Sequence, residues 1–217
     1  KMALLEREDR GAVAHLTLNP PENLNALSDG MIAALQSAFD ELAGDGTVRV
    51  VILKGTGKAF CAGHDLKEMT AGRAGPDGGR AYFGRIMAMC SGVMQGIVNC
   101  PKPVIAEVTG IATAAGCQLV ASCDLAIAAD TARFSTPGVH IGLFCSTPMV
   151  ALSRNVAAKH AMEMLLGGAL LGWLFIAPLL FYAFAALSHL VSRVLGGRGS
   201  FFGARLFLKF LYFSTLH

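Results

Sequence analysis

Two stretches are built to present bare backbone amides to a ligand: Lys58-Ala59-Phe60-Cys61-Ala62-Gly63-His64-Asp65-Leu66 and Gly110-Ile111-Ala112-Thr113-Ala114-Ala115-Gly116-Cys117-Gln118. Each joins a buried-strand pattern to a helix pattern through small residues, which leaves N–H groups of the turn to face outward. Tight strand–helix packing is the simpler explanation of either stretch taken alone. The side chains able to exchange a proton nearby are His64, His140, Glu107 and Asp124. An ordinary imidazole titrating near ~6.5 is not by that fact a catalyst, and a loop histidine such as His140 more often packs or faces solvent. Glu107 falls mid-strand and Asp124 is placed to cap backbone, so both read as structural. Lys58 and Lys102 flank two strand ends, where an ammonium suits a phosphate, although a solvated surface lysine is the plainer reading.

Other chemistries find no support. No GxGxxG, P-loop or metal-ligand cluster occurs, so nicotinamide, ATP and a metal are not expected. The six cysteines never form a CxxC pair and fall among apolar or small residues, which reads as reduced core thiols in a reducing, cytoplasmic setting. No nucleic-acid partner is expected, because the one basic cluster lies in an apolar tail. The first residues lack an apolar run of signal-peptide length, so secretion is not expected.

The elements that must position the two loops are legible from periodicity. Residues 3–18 read as a β-hairpin broken by Asp9-Arg10-Gly11, with alternation in its second strand. Ser28 is a good N-cap for a helix carrying Met31, Ile32, Leu35, Phe39 and Leu42 at i, i+3, i+4 spacing and ending near Gly44. The β-branched run 48–53 is a buried strand leading to Gly55-Thr56-Gly57-Lys58. Residues 71–79, rich in glycine, read as a mobile surface loop before a long helix over 80–98. Strands are expected at 104–108 and 124–128, the latter as a third core strand, with a short helix through Ser122 between them. Further helices begin at Ser146 and Lys159. Strand, small-residue loop and helix recur, which argues α/β layering with parallel strands.

At 217 residues with 53% hydrophobic composition, the chain can bury one sizeable core. Its net charge of +3 is unevenly placed. Up to Gly168 there are 14 Lys and Arg against 15 Asp and Glu, whereas 169–217 holds four basic residues and no acidic one. The run 167–192 has no Asp, Glu, Lys or Arg and exceeds the ~20 residues that cross a bilayer. The division expected is therefore a 1–168 domain and a 169–217 apolar tail, a candidate transmembrane or interfacial helix, with membrane association possible through 169–192.

Four segments occur in a telling order: Asn19-Pro20-Pro21-Glu22-Asn23-Leu24-Asn25-Ala26-Leu27-Ser28, Ala59-Phe60-Cys61-Ala62-Gly63-His64-Asp65-Leu66, Pro101-Lys102-Pro103-Val104-Ile105-Ala106 and Ser122-Cys123-Asp124-Leu125-Ala126-Ile127-Ala128. Together they resemble the enoyl-CoA hydratase/isomerase (crotonase) family. Gly63 to Met69 and Phe134-Ser135-Thr136-Pro137-Gly138 are similar to its enoyl-CoA hydratase domain-containing subgroup. The resemblance implies an α/β fold, a crotonase-like (ClpP/crotonase) spiral of ββα units, truncated here before the C-terminal helical segment and followed by an apolar helical tail.

It further implies a bent acyl-CoA ligand, with coenzyme A as part of the substrate and no separate cofactor. The thioester oxygen would be held by two backbone N–H groups, Ala62 and Ala115 by position. Leu24, Ala26, His64, Asp65, Leu66, Ala114, Pro137 and Leu143 would line the substrate. Gln118 and Gly138 stand at the two positions where the family's hydratases carry glutamate. Gln takes up no proton at neutral pH and Gly has no side chain, so weak or altered activity is expected, with His140 the best substitute base. A non-catalytic acyl-CoA binder, or a chimeric, truncated, membrane-associated chain without activity, are the rival expectations. The family's homotrimer is expected only with an intact C-terminus.

Overall fold

The computed structural model describes residues 3–19, 21–168 and 186–187. The chain divides into two compact units, Lys1–Ala169 and Leu170–His217. In the first, strands β1 (Leu5–Arg10) and β2 (Val13–Leu18) form the expected antiparallel hairpin. Alternation in β2 buries Ala14, Leu16 and Leu18 against the core, while β1 faces solvent. Strands β3 (Val50–Gly55), β5 (Val104–Val108) and β7 (Leu125–Ala128) extend the sheet in parallel, in the order β1-β2-β3-β5-β7.

Helix α1 (Asp29–Gly44) begins where sequence places it, with Ser28 Oγ accepting from the Met31 N–H at 3.1 Å. Its apolar stripe, Met31, Ile32, Leu35, Phe39 and Leu42, is buried in the core. Helix α3 (Arg80–Val98) lies against α1 and adds Ile86, Cys90, Val93 and Ile97. Helices α4 (Ala115–Ser122), α5 (Ser146–Asn155) and α6 (Ala158–Gly167) share a smaller apolar cluster formed by Cys117, Cys145, Leu152, Met164 and Leu165.

Three features differ from the sequence-based expectations. A second parallel sheet, β4 (Ala59–Cys61), β6 (Ile111–Thr113) and β8 (Arg133–Ser135), stands where loops were expected. Each strand has three residues, too few for alternation to register. Residues 71–79 are not an open loop. Helix α2 (Leu66–Arg73) runs through Ala71 because the Asp65 carboxylate caps it, accepting from the N–H groups of Lys67 and Glu68. Asp77 then accepts from Gly79 and Ala81 and starts α3. Finally, 125–128 is not a core strand: every residue of β7 is exposed, because it is the edge of the sheet.

Among the described residues, no helix is long and apolar enough to cross a membrane. The candidate span 169–192 lies outside the described residues, apart from Ala186 and Leu187.

Candidate active site

The site is organised by a residue that the sequence reading passed over. Asn25 is fully buried with φ +53, and its Nδ2 donates to the carbonyls of Thr56 and Ala59 at 2.8 Å each and to Phe60 at 3.2 Å. Asn tolerates the left-handed region better than most residues, and these bonds recover part of the cost. The available signal was a short amide inside the apolar run Leu24 to Leu27.

With Asn25 anchored, the 24–27 segment lies along the loop after β4. Leu27 N–H donates to the Gly63 carbonyl at 2.7 Å, and Asp65 N–H donates to the Leu27 carbonyl at 3.1 Å. Those two bonds bracket His64 in a one-residue parallel bridge. A bridging residue bracketed this way turns its own N–H to the opposite edge. Among the described residues the His64 N–H has no partner. The Ala62 N–H, in contrast, donates to the Leu24 carbonyl at 3.0 Å. That overturns the assignment of Ala62 as an oxyanion donor, because its hydrogen is already committed to the chain.

On its far side the loop meets the start of α4. Gly63 has φ +86, and a Cβ built on it would lie 3.0 Å from Ala114 Cβ and 3.2 Å from Ala115 N. Gly116 presses on the loop from the other direction, since a Cβ there would collide with the Cys61 carbonyl. Ala115 is the first residue of α4, so its N–H belongs to the set that no helical carbonyl satisfies. Positive φ falls on its neighbour Ala114, at φ +51 and ψ −122, not on Ala115 itself. The methyl at 115 is thus accommodated, and the strain sits one residue earlier.

Two side chains on these elements end in unsatisfied atoms. Gln118, one helical turn after Ala115, is 8% exposed, and its Oε1 is buried without a hydrogen-bond partner among the described residues. The His64 Nε2 is likewise buried and unpartnered. Burial lowers the His64 pKa from its ordinary 6.5, so its imidazole is neutral at pH 7.

The remaining candidates are placed elsewhere or put to structural use. Leu24 and Leu66 are exposed, Ala26 is half-buried, and Asp65 is the N-cap of α2. Pro137, His140 and Leu143 lie in or beside the exposed 3₁₀ turn Pro137–Ile141. No hydrogen bond among the described residues joins that turn to the Gly63–Asp65 loop. The turn is instead stapled to α6, with Thr136 Oγ1 donating to the Met164 carbonyl at 2.6 Å. The His140 ring sits on Gly168, where a Cβ would collide with its Nε2, and His140 is exposed at the end of α6. Gly138 has no space for a side chain: a Cβ would lie 2.5 Å from the Leu143 carbonyl oxygen and 2.7 Å from Cys145 Sγ.

Asp124 caps backbone as expected, its Oδ2 accepting from the Val104 N–H at 2.8 Å, and Glu107 is half-buried within β5. Lys102 Nζ donates to the Leu42 and Ala43 carbonyls at the end of α1, which makes it a helix C-cap, while Lys58 is exposed. All six cysteines are free thiols. Burial pushes Cys61, Cys117 and Cys123 up to about 12 and Cys90 to about 11, so none of these four supplies a thiolate nucleophile near neutrality. Among the described residues no cluster of three metal-ligating side chains occurs.

The sequence profile of the enoyl-CoA hydratase/isomerase family matches residues 8–172. The mitochondrial enoyl-CoA hydratase domain-containing protein 3 of Xenopus laevis is 47% identical over 167 residues, covering 77% of this chain and 54% of that protein. Its Homo sapiens counterpart is 49% identical over 156 residues, covering 72% and 50%. Among solved structures, an enoyl-CoA hydratase of Mycobacterium smegmatis superposes with a TM-score of 0.71 at 58% identity, over 76% of this chain and 63% of that one. The human domain-containing protein 3 does so with a TM-score of 0.70 at 45% identity over the same shares. The chain spans about half the length of the curated relatives it matches. A profile covering most of the chain, together with the paired loops and parallel sheets that carry them, establishes that the chain belongs to the enoyl-CoA hydratase/isomerase family.

Proposed function

We propose that residues 1–168 bind an acyl-CoA thioester whose carbonyl oxygen lies between the backbone N–H groups of His64 and Ala115. One observation carries this reading: the Ala62 N–H is committed to Leu24, whereas the His64 N–H is turned away from its bridge and its loop packs on the start of α4. Two amides converging on a thioester oxygen stabilise the charge that develops when a proton leaves the adjacent carbon. Losing one such donor costs about 10²–10³ in rate where an enolate forms. Backbone amides suit the task because they carry no proton to lose, and the positive end of α4 adds to the same field. Coenzyme A enters as part of the substrate, and no separate cofactor is proposed. Lys58, exposed just before β4, is proposed as a cation for its phosphates.

Hydration through two carboxylates is not part of this proposal. Gln118 neither gives nor takes a proton at neutral pH, and Gly138 has no room for a longer side chain, so Gly138→Glu would disrupt the turn and not restore a base. Those two positions favour a second reading, an acyl-CoA binder without turnover. Calorimetry with butyryl-CoA, free CoA and butyrate tests the first claim: equal affinity for the thioester and the free acid would sink it. Exchange of the C2 protons of bound butyryl-CoA with deuterated solvent, followed by NMR, separates an enolate-forming protein from a mere binder.

The division at residue 168, with an apolar tail over 169–217 able to associate with a bilayer, is proposed on sequence alone. A family-type homotrimer is proposed only for a chain that carries the family's C-terminal helical segment. The relatives are named as mitochondrial, which favours that organelle over the cytoplasm as the reducing compartment inferred from the cysteines.

A further inference from the structure

We propose that Glu68 is a positioning residue that aims the His64 N–H at the ligand. The inference rests on the reading above, in which that amide and the one of Ala115 hold the thioester oxygen. Segment 27–29 meets the site loop through three successive attachments. Leu27 N–H donates to the Gly63 carbonyl at 2.7 Å, Asp65 N–H donates to the Leu27 carbonyl at 3.1 Å, and Asp29 N–H donates to Glu68 Oε2 at 2.7 Å. The first two both engage Leu27 and bracket His64, so by themselves they define an axis about which the loop can turn. A third point away from that axis fixes the rotation, and Glu68 supplies it.

Helix α2 has no buried residue, so its placement depends on specific contacts more than on a packed apolar face. Its first turn is capped by Asp65, and near its other end the Tyr82 ring lies on Gly72 so closely that a Cβ there would collide with it. Asp29, the partner of Glu68, is itself held from α3. Tyr82 Oη donates to its Oδ1 at 3.2 Å, and Arg85 donates to its Oδ2 at 2.6 Å. Asp29 also opens α1, so its N–H has no helical carbonyl to bond, and a carboxylate there makes a charge-assisted bond at the positive end of the helix. Glu68 thereby ties the helix that follows His64 to a fixed point where α1 and α3 meet. An oxyanion donor has to stay within about 0.5 Å and 10–20° of its working direction, which two bonds about one residue do not secure.

The test uses the 217-residue chain with Glu68→Met, which keeps the length and removes the acceptor, and Glu68→Gln, which keeps an acceptor oxygen. Amide hydrogen exchange of the ligand-free chain is read first. In Glu68→Met the Leu27 and Asp65 amides should exchange about tenfold faster, while those of Val51 and Leu53 in the core stay unchanged. Butyryl-CoA isotopically labelled at its carbonyl carbon is the second probe, and in the unaltered protein its NMR signal should move downfield as the two amides polarise the carbonyl. In Glu68→Met about half of that displacement should be lost, and exchange of the C2 protons at saturating ligand should slow about tenfold, short of the 10²–10³ for a donor removed outright. Affinity for free CoA should stay within about twofold. Glu68→Gln should restore both signals. A merely structural Glu68 would lower Tm and leave the carbonyl signal of the bound thioester where it was, and that outcome overturns the inference. Unchanged exchange at Leu27 and Asp65 overturns it too, as does a loss in Glu68→Gln equal to that in Glu68→Met. If butyryl-CoA binds the unaltered protein no more tightly than free CoA, the acyl-CoA reading itself falls and takes this role of Glu68 with it, whatever the amides do.

Discussion

Strands β5 and β7 lie side by side in one sheet, parallel, paired from Ile105 with Leu125 to Val108 with Ala128. Both are short and apolar, yet Val104, Ala106 and Val108 are 0% exposed, whereas Leu125 and Ile127 are 61% and 66% exposed. β5 has a strand on each side and the α1–α3 core beneath it, while β7 has a neighbour on one side alone. An apolar run therefore reports that a strand can be buried, not that it is; cover is a property of the neighbours.

The sharpest way to break this contrast is one substitution at two facing positions. Ala106 and Ala126 pair across the β5–β7 ladder. Ala106→Asp should cost about 4 kcal/mol or more by burying an unpaired carboxylate, against roughly 0.5 kcal/mol or less for Ala126→Asp. Urea denaturation of both variants checks this, and similar losses at the two sites would show that β7 is covered in solution.

A second pair carries the contrast to helical glycines. Gly116 in α4 has no space for a methyl, whereas Gly84 in α3 has nothing within 4 Å. Gly116→Ala should destabilise by about 2–3 kcal/mol through overpacking. Gly84→Ala should stabilise by roughly 0.5–1 kcal/mol, because alanine loses less backbone freedom on folding. Opposite signs for one chemical change are the expected readout; the same sign at both would mean that the β4–α4 contact is looser than described.

Strain offers a smaller test. Ala114 holds positive φ at the entrance to α4, so Ala114→Gly should stabilise by about 1 kcal/mol, seen as a raised Tm. A lowered Tm would place the methyl's packing against Gly63 above its backbone strain.

The smallest effect concerns the covered imidazole of His64. In the unfolded chain His64 takes a proton near its ordinary 6.5, whereas in the fold burial holds its pKa lower. The unfolded state then binds more protons in that window, so stability is full above about 6.5 and falls as pH drops toward the lowered value. His64→Gln should flatten that part of the Tm profile between pH 7.5 and 5.5. An unchanged slope in His64→Gln would mean that the imidazole is solvated.

Much of this was legible beforehand. The stripe on α1 with its Ser28 cap, the hairpin of β1 and β2, the strands β3 and β5, and the bounds of α3 all arise from interactions within a few residues, which periodicity records directly. So does the recurrence of small residues at 61–64 and 113–116, which marked the two loops of the site. What tertiary structure alone decided is which groups those loops leave available. Ala62 and His64 are equivalent on paper, and the distinction comes from Leu24 and Leu27, brought alongside by the buried amide of Asn25. Likewise Gly138 is closed by Leu143 and Cys145, and Lys102 is claimed by the end of α1. A free donor, an open volume and an uncovered strand are all defined by what stands opposite, and residues distant along the chain reach that place only once it has folded.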